Sequence, residues 1–360
     1  MLDLDAPRND VGRSPLPRPR GELSAFLVEH LQQDVHDLGG APDPDDDPIT
    51  GEDAALALYL LYELAYRGVA GVRDDWEWHP DLIRVRGGLE RAFESRLRDE
   101  VGSVGAPTDV VAHLQGLLRE GGARSVSAWV EDRGDLSHVR EEAVHRTAYQ
   151  LKEADPHSWA LPRLHGRPKA ALVEIQADEY GNGVQKDMHA ELYALTLDRL
   201  GLDSRYGAYL DDLPGTTLST VSLVSLFGLH RRWLGALVGH LAVFEMASPA
   251  TMARHSAALR RLGFDEWTRL FYDTHVVADA HHQTVAAVDL AGGLVEQDPR
   301  YAADIAFGAA ALEFVEATFT ARVLDAWEAG QHSLRHPLPP CDRAPGQEAE
   351  PVPADDPRDE

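Results

Sequence analysis

The stretch Asp178-Glu179-Tyr180-Gly181-Asn182-Gly183, followed by His189, lies near the middle of the chain in a segment otherwise patterned as a helix. On an ideal helix, Glu179 and His189 lie about 80° apart around the axis, so one straight face does not hold both side chains. Gly181 and Gly183 permit a bulge or local unwinding that would re-aim the two side chains. Spacing alone nevertheless favours an ordinary close approach at the glycines, with two solvent-facing polar residues.

Helical periodicity continues on both sides of this stretch. The longer helical patterns span 168–200, 216–247, 249–262, 265–296 and 300–329, with Gly or Pro between them. The shorter ones span 21–38, 50–66, 81–100, 108–120 and 135–152. Because alternating patterns typical of strands extend over only a few residues, the sequence predicts an all-α fold.

The two ends of the chain differ in composition from the helical part. Residues 1–20 are rich in Pro and Arg, and residues 331–360 are acidic and contain several prolines, so both ends are predicted to be disordered. Between them we expect an N-terminal helical region at 21–104 and a main helical domain at 105–330. By analogy alone, the 21–104 region is interpreted as a dimerisation arm, which predicts a homodimer.

Composition restricts the classes of partner. The chain has 34 Lys and Arg against 60 Asp and Glu, a formal net charge of −26, which argues against nucleic acid and anionic membrane surfaces as partners. Cys341 is the only cysteine, so a disulfide within the chain and a thiolate metal site are excluded. The first residues lack the pattern of a signal peptide, and the longest apolar run, 54–62, is too short for a membrane span. We therefore expect a soluble cytoplasmic protein.

The strongest helical pattern of ligand-type residues lies in the segment 265–296. His275, Asp279 and His282 stand at positions i, i+4 and i+7, within an arc of roughly 60°, so their side chains share one stripe of the helix. Two imidazoles and a carboxylate on one stripe suit a divalent first-row metal. Because Asp, Glu and His are frequent in this chain, the same spacing also arises by chance.

Glu245 lies in the apolar run 241–247. A carboxylate in such a run is costly to bury unless a positive group meets it. A metal ion would meet it, but a surface position or an ion pair with Arg254 would also explain the residue. The residues alone leave these alternatives open.

Other acidic and histidine residues fit a metal site less well. Glu142 and His145 form a Glu-x-x-His pair of the kind found in ferritin-like diiron proteins, but the sequence offers no convincing second pair. The segment Glu153-Ala154-Asp155-Pro156-His157 has similar letters, but Pro156 argues against a helical ligand pair. Three further histidines are interpreted as packing, capping or surface residues: His240, His255 and His281.

Six residues together match, in type, order and spacing, the ligand set of the haem-oxygenase-like diiron oxidases and oxygenases: Glu179, His189, Glu245, His275, Asp279 and His282. The stretch from Asp178 to Gly183, with His189 after it, also resembles the most distinctive local motif of that family. The resemblance covers about residues 105–330 and is strongest to the central diiron domain of the N-oxygenating members in nitrosourea biosynthesis. About thirty polar residues follow instead of a cupin domain, so the rearrangement that depends on a cupin is not expected.

The resemblance implies a haem-oxygenase-like helical bundle with an additional N-terminal helical region. It implies that the first core helix supplies Glu179 and His189, the second Glu245, and the third the stripe of His275, Asp279 and His282. These residues would hold two Fe(II) ions as the cofactor, with no catalytic residue assigned beyond the ligands.

The activity that the resemblance implies is an O2-dependent oxidation in specialised metabolism. A small-molecule amino acid or amine would undergo N-oxygenation or oxidative C–C cleavage through a peroxo-diferric intermediate, with O2 as co-substrate and an external electron donor. The alternatives are an iron-free or haem-linked enzyme on the same scaffold, and a non-enzymatic helical binding protein.

Overall fold

The structure is a computed structural model, and it describes residues 12–120 and 124–340. Within these ranges the ordered secondary structure is helical, and β-type pairing is confined to one bridge between Ser14 and Val69. The prediction of an all-α fold is confirmed. Across the same residues, no helix combines the length and the apolar character that a membrane span needs.

The helices follow the chain in two groups. The first group comprises α1 (Glu22–Leu31), α2 (Glu52–Glu63), α3 (Pro80–Val101), α4 (Val110–Glu120), α5 (Val126–Arg133), α6 (Leu136–Gln150) and the short α7 (Asp155–Ser158). The second comprises α8 (Gly166–Glu179), α9 (His189–Arg199), α10 (Gly215–Leu229), α11 (Leu234–Arg261), α12 (Glu266–Thr284), α13 (Gly293–Gln297) and α14 (Tyr301–Glu328). A π-helical segment, Val285–Gly292, joins α12 to α13. The long α11 is central, because it packs against α5, α12, α14 and the π-helical segment.

The N-terminal helices pack into the same core as the later ones. Helix α2 is apolar around most of its circumference, as expected for a helix buried on every side, and it packs against α1 and α10. One continuous apolar cluster contains residues of α1, α2 and α3 together with residues of α10, α11 and α14. The boundary at residue 104 and the dimerisation role of the 21–104 region stay predictions.

Contacts with the helices order part of each chain end. The Arg20 guanidinium donates to the Glu52 carboxylate at 2.8 Å, and the backbone N–H of Ser333 donates to Glu141 at 2.7 Å. These contacts differ from the disorder expected at 12–20 and 331–340, because polar partners on the helices hold both segments. The remaining parts of the two ends, 1–11 and 341–360, lie outside the described residues.

Several helix boundaries differ from the predicted ones, and two of these differences lie next to the ligand-type residues. The helix predicted over 168–200 is divided into α8 and α9 by two 3-10 turns, Gly181–Gly183 and Gln185–Asp187. The break predicted at residue 248 is wrong, because α11 continues through Pro249 and begins only after a turn at 230–233. Proline has no N–H to donate to the carbonyl four residues earlier, so α11 lacks one helical hydrogen bond at Glu245.

Candidate metal centre

Ligand-type side chains from separate parts of the chain meet in the interior beside α8, α9, α11 and α12. In one group, carboxylate and imidazole atoms lie within 4.8 Å of one another: Glu153, Glu179, His189 and His275. In a second group the ligand atoms also lie within 4.8 Å of one another: Glu179, Glu245, Asp279 and His282. Glu179 belongs to both, so the groups form one buried cluster of four carboxylates and three imidazoles. The structure thus brings together all six residues proposed from the sequence, and it adds Glu153.

The glycine stretch aims Glu179 and His189 at the same point. Gly181 and Gly183 have φ values of +60° and +85°, which favour glycine, and a Cβ on Gly181 would lie 2.6 Å from the Asp187 carbonyl carbon. The turn brings Glu179 Oε2 at the end of α8 within 2.8 Å of His189 Nδ1 at the start of α9. Both side chains are buried, so their interpretation as solvent-facing polar residues is wrong.

His275 is oriented by its own helix. Its Nδ1 lies 2.8 Å from the backbone oxygen of Phe271, one turn earlier, and a proton on this nitrogen donates to that oxygen. The same tautomer leaves a lone pair on Nε2, which lies 3.5 Å from Glu153 Oε2. A backbone carbonyl that holds the second ring nitrogen is typical of a metal-binding histidine, because it fixes the tautomer and the ring direction.

His282 is oriented in a similar way by a carboxylate. Its Nε2 lies 3.1 Å from Asp178 Oδ2, at the end of α8. Its Nδ1 faces the cluster, 3.3 Å from Asp279 Oδ1 and 3.5 Å from Glu245 Oε2. Glu245 is buried, and the alternative pairing with Arg254 is wrong, since Arg254 pairs with Glu131, with 3.9 Å between Nε and Oε2. One nitrogen of His282 is therefore held from outside while the other points inward.

Several buried atoms of the cluster lack a hydrogen bond. Among the described residues, buried polar side-chain atoms without a hydrogen-bond partner include Glu179 Oε2, His189 Nδ1, His275 Nε2, Asp279 Oδ1 and His282 Nδ1. The first two lie close together, but not in the geometry of a hydrogen bond. Buried polar groups are rarely left unpaired, and five such atoms divided between two adjoining groups of ligand-type side chains are an arrangement that cations complete. Oxygen and nitrogen donors without sulfur fit a divalent iron.

Burial and mutual repulsion raise the pKa values of the glutamates of the cluster, whereas at Asp279 the neighbouring His282 and His275 outweigh burial and lower the pKa. Burial, with the nearby charge of Asp279, raises the pKa of Glu179 to about 7 and that of Glu245 to about 8. Burial lowers the pKa of His275 and His282, but the neighbouring carboxylates outweigh it and raise both values to about 10. The metal-free cluster thus retains protons at neutral pH, and a bound cation would displace them.

Sequence reasoning missed Glu153 because Pro156 argued against a helical ligand pair. The helix does end before Pro156. Helix α6 stops at Gln150, and Ala154 adopts a left-handed conformation with φ of +71°. This turn, rather than a helix, carries Glu153 into the cluster. The signal that could have found it is charge, since three proposed carboxylates do not balance two divalent ions.

The residues set aside from the sequence lie elsewhere. Glu142 contacts Arg146 at 3.5 Å, and His145 hydrogen-bonds Thr217 and Ser333 at 2.8 and 3.0 Å. Neither residue belongs to either group of the cluster. The other set-aside histidines are also outside it: His240, His255 and His281.

Two cavities adjoin the cluster. A small one of about 10 Å³ is lined by cluster residues, and a larger one of about 330 Å³ lies beside it and reaches exposed residues such as Leu118 and Arg124. Tyr149, Phe244 and Ser248 line both cavities, so they separate the large cavity from the cluster by one layer of side chains. The large cavity has the size and the mainly apolar wall expected of a small-molecule site.

Comparison with known proteins identifies relatives of this chain. Residues 140–316 match the family described as iron-containing redox enzyme, and the matched range contains all seven residues of the cluster. A nitrosourea synthase from Streptomyces achromogenes subsp. streptozoticus is 28% identical over 220 residues. That similarity covers 59% of this chain and 46% of the relative, so the chain spans less than half of that protein's length.

Proposed function

This chain belongs to the family of iron-containing redox enzymes, and we propose that it holds two Fe(II) ions and uses O2 to oxidise an amine or amino acid. Its all-α fold is the haem-oxygenase-like fold, and its class is oxidoreductase. The alternative of a non-enzymatic helical binding protein is therefore wrong. The number of ions, the use of O2 and the substrate constitute the proposal.

The division of the cluster into two groups that share Glu179 supports a pair of ions. Four ionised carboxylates carry four negative charges, and three neutral imidazoles add none. Two divalent cations balance that charge, whereas one would leave two buried charges uncompensated. Charge balance therefore favours two ions over one.

Each group supplies a set of ligands for one ion. One ion would be held by Glu153, His189 and His275, the other by Glu245, Asp279 and His282, and Glu179 would be shared. Bound iron, with an external electron donor, supplies the electron transfer to O2. The chain itself fixes the ligands, keeps bulk water from the centre and orients the substrate. The reaction intermediate implied by the resemblance stays a prediction.

The charge of the large cavity supports an amine as substrate. Glu142 and Glu316 line it, and these two carboxylates share one cation, Arg146, which lies 3.5 Å from Glu142 and 3.0 Å from Glu316. Arg124 also lines the cavity, but its guanidinium already pairs with two carboxylates, Asp325 and Glu328. The excess of negative charge attracts a protonated amino group and repels a free fatty acid.

N-oxygenation is the reaction that we favour over oxidative C–C cleavage. The name of the matched relative, nitrosourea synthase, concerns a product with a nitrogen-bound oxygen. The activity of that whole protein does not transfer to this chain, which spans less than half of its length. The homodimer, the cytoplasmic location and the role in specialised metabolism stay expectations.

Anaerobic iron loading tests the proposal. We expect about two Fe(II) per chain, the number that charge balance requires, and oxygen uptake when a substrate amine and air are added. Amines, amino acids and fatty acids should be screened in parallel for the one that accelerates oxygen uptake. One ion per chain, or oxygen uptake stimulated only by fatty acids, would contradict the proposal.

A matched pair of variants isolates the cluster in the same experiment. Glu179→Gln removes a shared carboxylate and should abolish binding of the second ion. Glu174→Gln changes an exposed glutamate of the same helix, which pairs with His281 on the surface, and should retain both ions.

A further inference from the structure

A second pair of buried histidines lies between the two cavities. His157 Nε2 and His240 Nδ1 face each other at 3.2 Å, and both rings are buried. His157 lines the small cavity at the cluster, and His240 lines the large cavity. We propose that these two imidazoles form a proton relay from the large cavity to the metal centre, an inference that rests on the proposed function.

The proposed reaction consumes protons at a buried site. After the bound ammonium group has lost one proton to the solvent, N-oxygenation of the free amine follows RNH2 + O2 + 2 e− + 2 H+ → RNHOH + H2O, with both electrons from the external donor. One oxygen atom forms the new N–O bond, and the other leaves as water after it has taken up two protons. Since the carboxylates and imidazoles of the cluster are buried, these protons need a route through the protein.

A pair of neutral imidazoles can provide such a route without separating charge. In the N–H···N contact one ring donates and the other accepts. When the outer nitrogen of His240 takes up a proton from the large cavity, His240 passes its Nδ1 proton to His157 Nε2. His157 then releases the proton on its own outer nitrogen towards the cluster. Each ring ends neutral in the other tautomer, so the number of protons is conserved.

The surroundings of the pair keep both rings neutral and in place. Burial lowers the pKa of His157 to about 3 and, with His157 nearby, lowers that of His240 well below its usual value. The Gln176 side chain donates to the Ala154 carbonyl at 2.9 Å and to Ser158 Oγ at 2.7 Å, which fixes the short helix α7 around His157. The Phe244 ring stacks on His240 with a centroid distance of 5.9 Å.

The hydrogen bond can be measured in the metal-free protein, independently of activity. With ¹⁵N-labelled histidine, we expect a ¹⁵N–¹⁵N coupling across the hydrogen bond between His157 Nε2 and His240 Nδ1. We also expect each ring to be neutral, with a proton on only one of its two nitrogens. Absence of this coupling would overturn the relay.

Carboxamide variants separate a relay from a packing role. Asn at 240 places a polar atom near the position of Nδ1, and Gln at 157 places one near Nε2, so each keeps a hydrogen bond but has no second ring nitrogen. We expect His240→Asn and His157→Gln to retain the iron content of the wild type. Their rate of oxygen-dependent single turnover should fall about 10²-fold, the usual contribution of a proton-transfer group. Wild-type rates in both variants would overturn the relay.

Imidazole rescue provides the control. His240→Ala should recover its lost rate when imidazole is added, because the large cavity reaches the vacated position. In His145→Ala, which removes a buried histidine from the same cavity wall, imidazole should leave the rate unchanged. A wild type without iron would overturn the proposed function and the relay with it, whereas normal iron without rescue in His240→Ala would overturn the relay alone.

Discussion

Two consecutive residues, Lys152 and Glu153, belong to buried charged clusters of opposite kinds. The Lys152 ammonium pairs with Glu63, and its Nζ lies 4.2 Å from the centroid of the Tyr66 ring. Tyr206 donates to the other oxygen of Glu63 at 2.5 Å. In that cluster the protein supplies both signs of charge. In the cluster of Glu153, carboxylates crowd together and five atoms have no hydrogen-bond partner within the described part of the chain.

The difference distinguishes a structural use of buried charge from a functional one. A buried ion pair whose two charges are both supplied by the chain contributes to the specificity of packing, but it has no unpaired atom that could bind a ligand. A buried group of carboxylates and imidazoles with unpaired atoms is stable only with protons or with added cations. We therefore expect substitutions in the first cluster to change stability, and substitutions in the second to change metal binding and turnover.

The largest effect is expected from removal of one ligand in either half of the metal cluster. His189→Ala and Asp279→Ala should each abolish oxygen-dependent turnover and leave helicity by circular dichroism nearly unchanged. The reason is that each side chain faces the cluster while its backbone stays within a helix. His281→Ala, next to His282 but exposed, is the matched control and should keep its activity. Full activity in either cluster variant would remove that residue from the ligand set.

The complementary substitution lies in the paired cluster. Lys152→Met leaves the Glu63 carboxylate buried without its cation, so the free energy of unfolding should fall by about 3–5 kcal/mol. The iron content of the folded protein should stay at the wild-type level. Chemical denaturation and iron analysis on the same sample measure both quantities.

A double variant keeps this test decisive even if Lys152→Met folds poorly. Lys152→Met combined with Glu63→Gln removes both charges and should recover much of the lost stability, because replacing a whole buried pair is far less costly than breaking it. If Lys152→Met instead lost iron at unchanged stability, the division between the two clusters would be wrong.

The sequence predicted the helices more completely than the cluster. Helical periodicity identified α14 because this helix presents an apolar face over several turns, and it identified α12 because its buried residues recur at helical spacing. It did not predict that α11 runs through Pro249, since tertiary packing outweighs the local cost of a proline. It missed Glu153 for a related reason: a left-handed turn at Ala154 aims this side chain, and no periodic pattern reports a turn.

The stability of the metal-free protein should depend on pH, because the metal cluster holds protons when it holds no cations. Glu179 and Glu245 have pKa values of about 7 and 8 in the folded state against 4.5 for a free glutamate, and His275 and His282 about 10 against 6.5. Between about pH 7.5 and pH 9 these shifts mean that the folded state binds more protons than the unfolded state. The free energy of unfolding should therefore fall as the pH rises through this window. At lower pH, histidines whose pKa burial lowers, such as His145 and His157 to about 3 and His189 to about 4, act in the opposite direction.

Bound metal should weaken this dependence of stability on pH. With saturating Mn(II), a redox-inert substitute for Fe(II), the cluster holds cations instead of protons. The thermal midpoint should then fall less steeply with pH than that of the metal-free protein. Thermal unfolding of both forms across the window measures the two slopes, and equal slopes would show that the cluster exchanges no protons for metal.

The smallest effect is expected outside the ligands, at Asp178. Its carboxylate lies 3.1 Å from His282 Nε2 and is in part exposed, so Asp178→Asn keeps the shape of the contact but removes the charge that favours a lone pair on the inward-facing Nδ1. Such partners typically change metal affinity by about 10–100-fold, and the exposure of Asp178 places our expectation near the lower value. Anaerobic competition with a coloured chelator measures the affinity of the Glu245 half, and Glu174→Gln on the same helix is the control. An affinity equal to that of the control would mean that His282 needs no carboxylate partner to bind metal. The contrast between the two clusters would then depend only on the unpaired atoms of the metal cluster that face its interior.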